Sequence, residues 1–280
     1  MVTRGLLPCN LRVILDRCRP TVRYLFETEA HVYALAVSAS VLLSFFPFCN
    51  VMLSFCRNVL HWRAAEDAIY LALNDYYPGE MAIFVKRNLT LRGDLHLASM
   101  VLLLFTANGI FEPLEVALNR TWGVTQNRPY WKNQLVSLGM IFACGALALL
   151  SVLFSAMNRG WVTGMAGSVH WLGPWLNLLL FKLAAVPLSI LSLFLVYWLL
   201  PNRKVHAARV APVAIYVGLI LEAMKYVNLA LTPWLEAKFE NEYFIFRHSV
   251  TILIWSFLAA LIVLAGAEWT ARQDTADPLS

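Results

Sequence analysis

Residues 135–157 read LVSLGMIFACGALALLSVLFSAM, with no charged side chain among them. As a helix rising 1.5 Å per residue, a run of this length extends about 34 Å, enough to cross a hydrocarbon layer of about 30 Å. In water such a run would leave no polar face for solvent. In lipid it needs none, because every backbone donor and acceptor is satisfied inside the helix. The stretch therefore reads as a membrane span and sets the class of the whole chain.

Working outward, five further apolar runs of similar length lie at 33–55, 97–118, 176–200, 209–232 and 249–268. The 97–118 run is the most diluted, by Asn108, Glu112 and Glu115. Of the 280 residues, 60% are hydrophobic and 14% charged, against about 25% charged in soluble domains. The expectation is an all-α membrane protein with a bundle of six transmembrane helices. Residues 33–270 form the membrane domain, 1–32 a cytoplasmic amphipathic segment and 271–280 a cytoplasmic tail.

The net charge of +5 follows from loop placement rather than from binding nucleic acid. With the N-terminus cytoplasmic, segments 1–32, 119–134, 201–209 and the tail hold five, three, three and one Lys or Arg. The short outer loops 158–175 and 233–248 hold one and two. The longer 56–96 segment holds five, but long loops follow the positive-inside rule poorly. Both termini are expected on the cytoplasmic side of a cell membrane.

Within 10–30, Leu11, Ile14, Leu15, Cys18, Val22 and Leu25 recur at helical spacing, with Arg12, Arg17, Arg19 and Arg23 between them. This pattern suits a helix lying on an anionic leaflet, or one packed under the bundle. The 56–96 segment reads as two short outer helices broken at Pro78-Gly79, capping the bundle or dipping into the bilayer. Asn88-Leu89-Thr90 matches a glycosylation sequon, a pattern common by chance.

The run 219–231, LILEAMKYVNLAL, carries Glu222, Lys225 and Asn228 near mid-membrane. Glu222 and Lys225 are three apart and share a helix face. Counted from residue 209, they lie about 20 and 24 Å from the cytoplasmic edge. A lone charge at mid-bilayer costs about 2.5–3.5 kcal/mol, so the pair must face the bundle interior or a wet cavity. Lys182, about 9 Å below the outer surface on an oppositely directed span, is a candidate third member. Such a cluster would carry a net positive charge and favour an anionic ligand. The plainer reading is a buried ion network that orients helices. Pro47 and Pro187 fall inside spans and mark candidate kinks beside a site. Glu112 and Glu115 are expected to share a face at the inner end, with Arg120 as a candidate partner. Trp122, Trp131, Trp198 and Trp269 read as an inner interfacial belt, and Trp62, Trp171 and Trp175 as an outer one.

Soluble enzyme chemistry has no signature here. His31, His61, His96, His170, His206 and His248 are isolated, with no HxH, HxxxH or HExxH. There is no nucleophile elbow, P-loop or dinucleotide fingerprint. The five cysteines form no CxxC pair. No catalytic residue, metal ligand set or cofactor is expected. The first 30 residues also lack the clean apolar core of a cleavable signal peptide.

Several blocks, in order, carry a resemblance: LLSFFP (42–47), LFTANGIFEPLEVALNRTWGV (104–124), RPYWK (128–132), VYWLLPNRKV (196–205) and LIVLAGAEW (261–269). Through them the chain resembles the YihY/BrkB family of bacterial inner-membrane proteins, members of which have been labelled virulence factors and, by misassignment, ribonuclease BN. The resemblance implies six spans and an inner-membrane location. A ribonuclease activity would need a metal-binding His/Asp constellation, which this sequence lacks. The chain departs from the family pattern at VSASVLLS (37–44) and at YFIFRHSVTILIWSF (243–257), where Arg247 and His248 stand near the outer mouth.

The expected function is transporter-like: moving a lipid or an anionic envelope component, with Glu222, Lys225, Lys182 and Asn228 lining the site. Arg247 would attract an anionic headgroup. A non-transporting scaffold for an envelope-assembly complex is the alternative. Membrane lipid is the expected partner, and self-association is compatible with the sequence.

Overall fold

The computed structural model describes residues 19–76, 83, 86–87, 97–124, 128–165 and 173–276. Every regular element among them is helical. A short helix α1 (19–27) leads into α2 (Ala30–Asn58), followed by α3 (Arg63–Tyr76), α4 (Leu97–Thr121), α5 (Tyr130–Met165), α6 (Gly173–Leu199), α7 (Ala207–Tyr243) and α8 (Arg247–Ala276). Each expected span lies inside one of the long helices, save that 176–200 runs one residue past the end of α6 at Leu199. The N-terminal part of the amphipathic segment, the Pro78-Gly79 break and the sequon lie outside the described residues.

The helices run up and down. The Glu29 carboxylate, just before α2, lies 3.9 Å from Arg120 near the end of α4. Thr21 of α1 donates a 2.6 Å hydrogen bond to Glu268 near the end of α8. The start of α2 and the end of α8 therefore share one end of the bundle, called here the first end. Helix α2 packs against α4 and α8, α5 against α6, and α7 against both α6 and α8.

Packing follows membrane logic. The buried face of α2 is mostly small: Ala30, Ala34, Ser38, Ser44, Cys49 and Ser54. Small residues let helices approach where lipid gives no hydrophobic drive toward association. Glycines do the same elsewhere: a Cβ on Gly109 would meet Ser40 Oγ at 2.6 Å. Many large apolar side chains point outward. Leu135, Phe142 and Phe105 are exposed, Phe105 by 79%. Among the described residues, four helices are long and apolar enough to cross a membrane: Ala30–Asn58, Trp131–Phe154, Ala207–Tyr243 and Arg247–Arg272. A shorter apolar stretch covers Val186–Leu199 in α6.

Three expectations need correction. Helix α7 does not stop at residue 232 but continues through Pro233 to Tyr243, because a proline removes one hydrogen bond without ending an otherwise supported helix. Glu112 is exposed while Glu115 is buried, and Arg120 meets Glu29 rather than either of them. Trp122 is a core residue, lying beneath the Arg203 guanidinium at 5.8 Å, not part of a lipid belt. In α1, Tyr24 and Leu25 pack on the core while Val22 and Phe26 are exposed.

Candidate functional site

Helix α7 explains why an acid, a base and an amide sit in an apolar run. Its buried residues include Val210, Val213, Ala214, Val217 and Gly218, a stripe at three- and four-residue spacing. The same stripe continues through Leu221, Glu222, Lys225 and Asn228, while Ile215, Tyr216, Leu219, Ile220, Tyr226 and Val227 are exposed. The polar trio thus sits on the inward face, and lipid meets only its apolar neighbours.

That stripe faces a cavity of about 600 Å³, within the range of ligand-binding cavities. Its walls come from six helices. Phe48, Cys49 and Met52 of α2, Ile69, Ala72 and Leu73 of α3, and Leu147 and Val152 of α5 are mainly apolar. Ser189 and Ser192 of α6 and Trp255 and Ser256 of α8 add polar atoms. Glu222, Lys225 and Asn228 line it together. Lys225 Nζ lies 2.5 Å from Glu222 Oε2, with the side chains 11% and 18% exposed. Asn228 is buried. The Trp255 indole N–H of α8 is buried with no hydrogen-bond partner among the described residues.

Backbone features frame the cavity. Pro47 immediately precedes Phe48, and Pro187 immediately precedes Leu188, both of these being lining residues. Gly218 lies against α6, where an added Cβ would meet Ile190 Cγ1 at 2.6 Å. The wall contributed by α3 was not foreseen. This helix packs Ala65, Ala68 and Ile69 against Cys49 and Leu53 of α2, so it lies beside the bundle rather than over it.

The other expected site residues lie apart. Arg247 does not line the cavity. It pairs with Glu240 at 3.4 Å, about 12 Å along α8 from Trp255. Residue 182 belongs to α6, but its side chain lies outside the described residues.

A second polar cluster occupies the first end. Arg128, just before α5, donates from Nη2 to the carbonyls of Pro201 at 3.0 Å and Leu199 at 3.4 Å, and from Nη1 to that of Leu200 at 3.5 Å. Its Nε reaches Asn202 Oδ1 at 3.0 Å. The guanidinium also lies 4.0 Å from the Glu115 carboxylate, which is 2% exposed. The Asn133 amide, in its donating orientation, bonds the same carboxylate. Asn119 accepts from the Asn202 backbone N–H at 2.7 Å. This cluster was missed. The available signal was the inward spacing of Phe111, Glu115, Leu118 and Trp122. Among the described residues no three His, Cys, Asp or Glu side chains gather as metal ligands would.

Three of the sequence blocks that carry the resemblance therefore meet at one place: FEPLEVALN, RPYWK and LLPN supply Glu115, Asn119, Arg128 and Asn202, and Asn133 directly follows RPYWK. The family model described as virulence factor BrkB matches residues 22–278. The chain belongs to the BrkB family. Among its relatives are UPF0761 membrane proteins. That of Acinetobacter baylyi is 25% identical over 265 residues, 90% of this chain and 58% of the relative. That of Chromohalobacter salexigens is 24% identical over 279 residues, 93% of this chain and 64% of the relative. The match to that of Pseudoalteromonas translucida is 27% identical over 168 residues, covering 56% of this chain and 51% of the relative. This BrkB-family chain thus spans between about half and two thirds of the length of these relatives. No solved structure matches it.

Proposed function

We propose that this BrkB-family membrane protein is a six-span transporter of the bacterial inner membrane, with both termini cytoplasmic, that moves a lipid or anionic envelope component. The observation that carries the reading is the inward stripe of α7, which brings Glu222, Lys225 and Asn228 to the wall of a mainly apolar cavity about 600 Å³ in volume. An ion pair serving only to orient helices is best packed against other side chains with no void beside it, since buried charges need their remaining hydrogen-bonding capacity satisfied. Here the pair also lines the cavity. Apolar walls would hold acyl chains and the pair would hold a headgroup. Helices α4 and α6 complete the count of spans, and the concentration of Lys and Arg near the first end supports placing that end in the cytoplasm.

The test is lipid movement across proteoliposomes. Wild type should accelerate it over empty vesicles. Glu222→Gln and Lys225→Met should insert to the same level and lose most of the acceleration. Equal rates for wild type and empty vesicles would overturn the reading and favour a scaffold.

A further inference from the structure

Helix α3 differs from the spans around it. At 14 residues it is about 21 Å long, too short to cross the hydrocarbon. It nevertheless lies at the depth of the cavity. Ala65, Ala68 and Ile69 pack on Cys49 and Leu53 of α2, and Leu73 joins Val152 of α5 in the same cluster. Cys49 stands six residues inside the expected end of its span at 55, and Val152 five residues inside the end of its span at 157. Both are therefore about 8–9 Å within the membrane. The helix also packs against α7, and Ile69, Ala72 and Leu73 form part of the cavity wall. Its other face is polar. Asp67 and Asn74 are exposed, and their seven-residue spacing puts them on one side. A carboxylate and an amide exposed at that depth need water rather than lipid. Helix α3 thus has the cavity in front of it and water behind it.

What seats it is slight. Ala65 and Ala68 are fully buried, but an alanine buries little apolar area. The Arg57–Glu66 ion pair, at 2.9 Å, joins the first turn of α3 to the end of α2. Residues 59–62 make the link, and His61 there has φ of 49°, in the left-handed region that a side chain disfavours. The seated packing offsets that backbone cost, and leaving the seat releases it. We propose that α3 is the gate of the cavity. Pivoting about residues 59–62, it leaves α2, α5 and α7 and opens the cavity to water at the end opposite the Arg128 cluster. The gate rests on the transport reading above for its purpose, but its closed and open states are defined without a ligand.

Cys49 supplies a native reporter, since it lines the cavity and is 5% exposed beneath α3. The purified full chain in lipid nanodiscs is treated with a cationic methanethiosulfonate, which reaches thiols from water but not through lipid. Peptide mass spectrometry follows the adduct on Cys49. The adduct on Cys144, a half-buried thiol in the other core cluster, controls for general loosening. In wild type Cys49 should react slowly, at a rate set by the open fraction. Ala68→Trp wedges α3 off α2 and should raise that rate by roughly five- to a hundredfold, the factor that overpacking puts on an equilibrium, with Cys144 unchanged. Glu66→Gln should raise it by about fivefold, the upper end for a partly exposed ion pair. Arg57→Glu with Glu66→Arg, which restores a pair, should bring it back. A Cys49 rate that no change in α3 alters, or that rises only together with Cys144, overturns the gate. Lipid movement across proteoliposomes separates the two readings. Cys49 exposure that follows α3 without lipid movement supports the gate and removes transport, whereas lipid movement with Cys49 indifferent to α3 removes the gate alone.

Discussion

Replacing Arg128 tests the cluster at the first end most directly. Its guanidinium makes two 3.0 Å hydrogen bonds and two longer ones to the Leu199–Asn202 segment, and stands 4.0 Å from a carboxylate that is 2% exposed. Arg128→Ala removes every one of these and leaves Glu115 buried beside Asn133. Removing one partner of a buried pair costs about 3–5 kcal/mol, because the other charge stays uncompensated. Arg128→Lys keeps the charge but not the planar fork that reaches several acceptors at once. Losing one or two hydrogen bonds that involve a charged group should then cost about 2–4 kcal/mol. The double variant Arg128→Met with Glu115→Gln removes both charges and should cost less than the sum of the two single changes. The coupling should be about 1–3 kcal/mol. The assay is unfolding in detergent, followed by loss of the monodisperse chromatographic peak with temperature and denaturant. If Arg128→Ala falls within 0.5 kcal/mol of wild type (roughly the scatter of a surface change), or if the two changes add without coupling, the reasoning about this cluster is wrong.

Gly218→Ala should destabilise by about 1–3 kcal/mol through overpacking against Ile190, and adding Ile190→Ala should recover part of the loss in the same unfolding assay. Tyr197→Phe should cost about 1 kcal/mol by deleting the 2.7 Å bond to the Val263 carbonyl, seen as a lower midpoint with no change in elution volume. Phe244→Gly should stabilise slightly, by up to about 1 kcal/mol, since Phe244 has φ of 44° with a largely exposed ring; a lowered midpoint would show that the ring itself is needed. A fluorescent reporter that matures only in the cytoplasm, fused after residue 280, should glow, and one inserted in the Phe244–Phe246 turn between α7 and α8 should not; the reverse result would invert the proposed topology.

What the sequence revealed depended on whether a signal was local. The 135–157 run was legible because no charge interrupts it, and it lies wholly within α5. Glu222, Lys225 and Asn228 were legible because a three-residue spacing fixes a common helix face whatever the rest of the bundle does. The last third of α7 was not, because Pro233 and the charge-rich stretch 235–243 read as a loop outside lipid, where helical propensity alone is a weak guide. The Arg128 cluster needed contacts across 71 to 74 residues of chain, which no window along the sequence contains. Glu112 and Glu115 were separated only by neighbours: both fit a helix face near the bundle, and the packing of Phe111, Leu114 and Leu118 decided which one turned inward. Helix α3 was recognised as a helix, but its place beside the cavity depended on packing against α2 and α5.

Arg128 also bears on how the molecule can move. One side chain ties the end of α6 to α4 and the start of α5, and its fork grips three backbone carbonyls of the Leu199–Pro201 segment as well as the Asn202 and Glu115 side chains. At that end these helices behave as if hinged on a single pin. The cavity wall begins at Leu193, about 9 Å along α6 from the pin, and reaches Leu147 of α5, about 28 Å from Arg128, where a small angular change gives a larger displacement. A tilt of 5° about the pin shifts a point 25 Å away by about 2 Å, 25 Å being roughly 17 residues of helix. Leverage of this kind would let a stiff bundle change the width of its cavity without unpacking the end that holds it together.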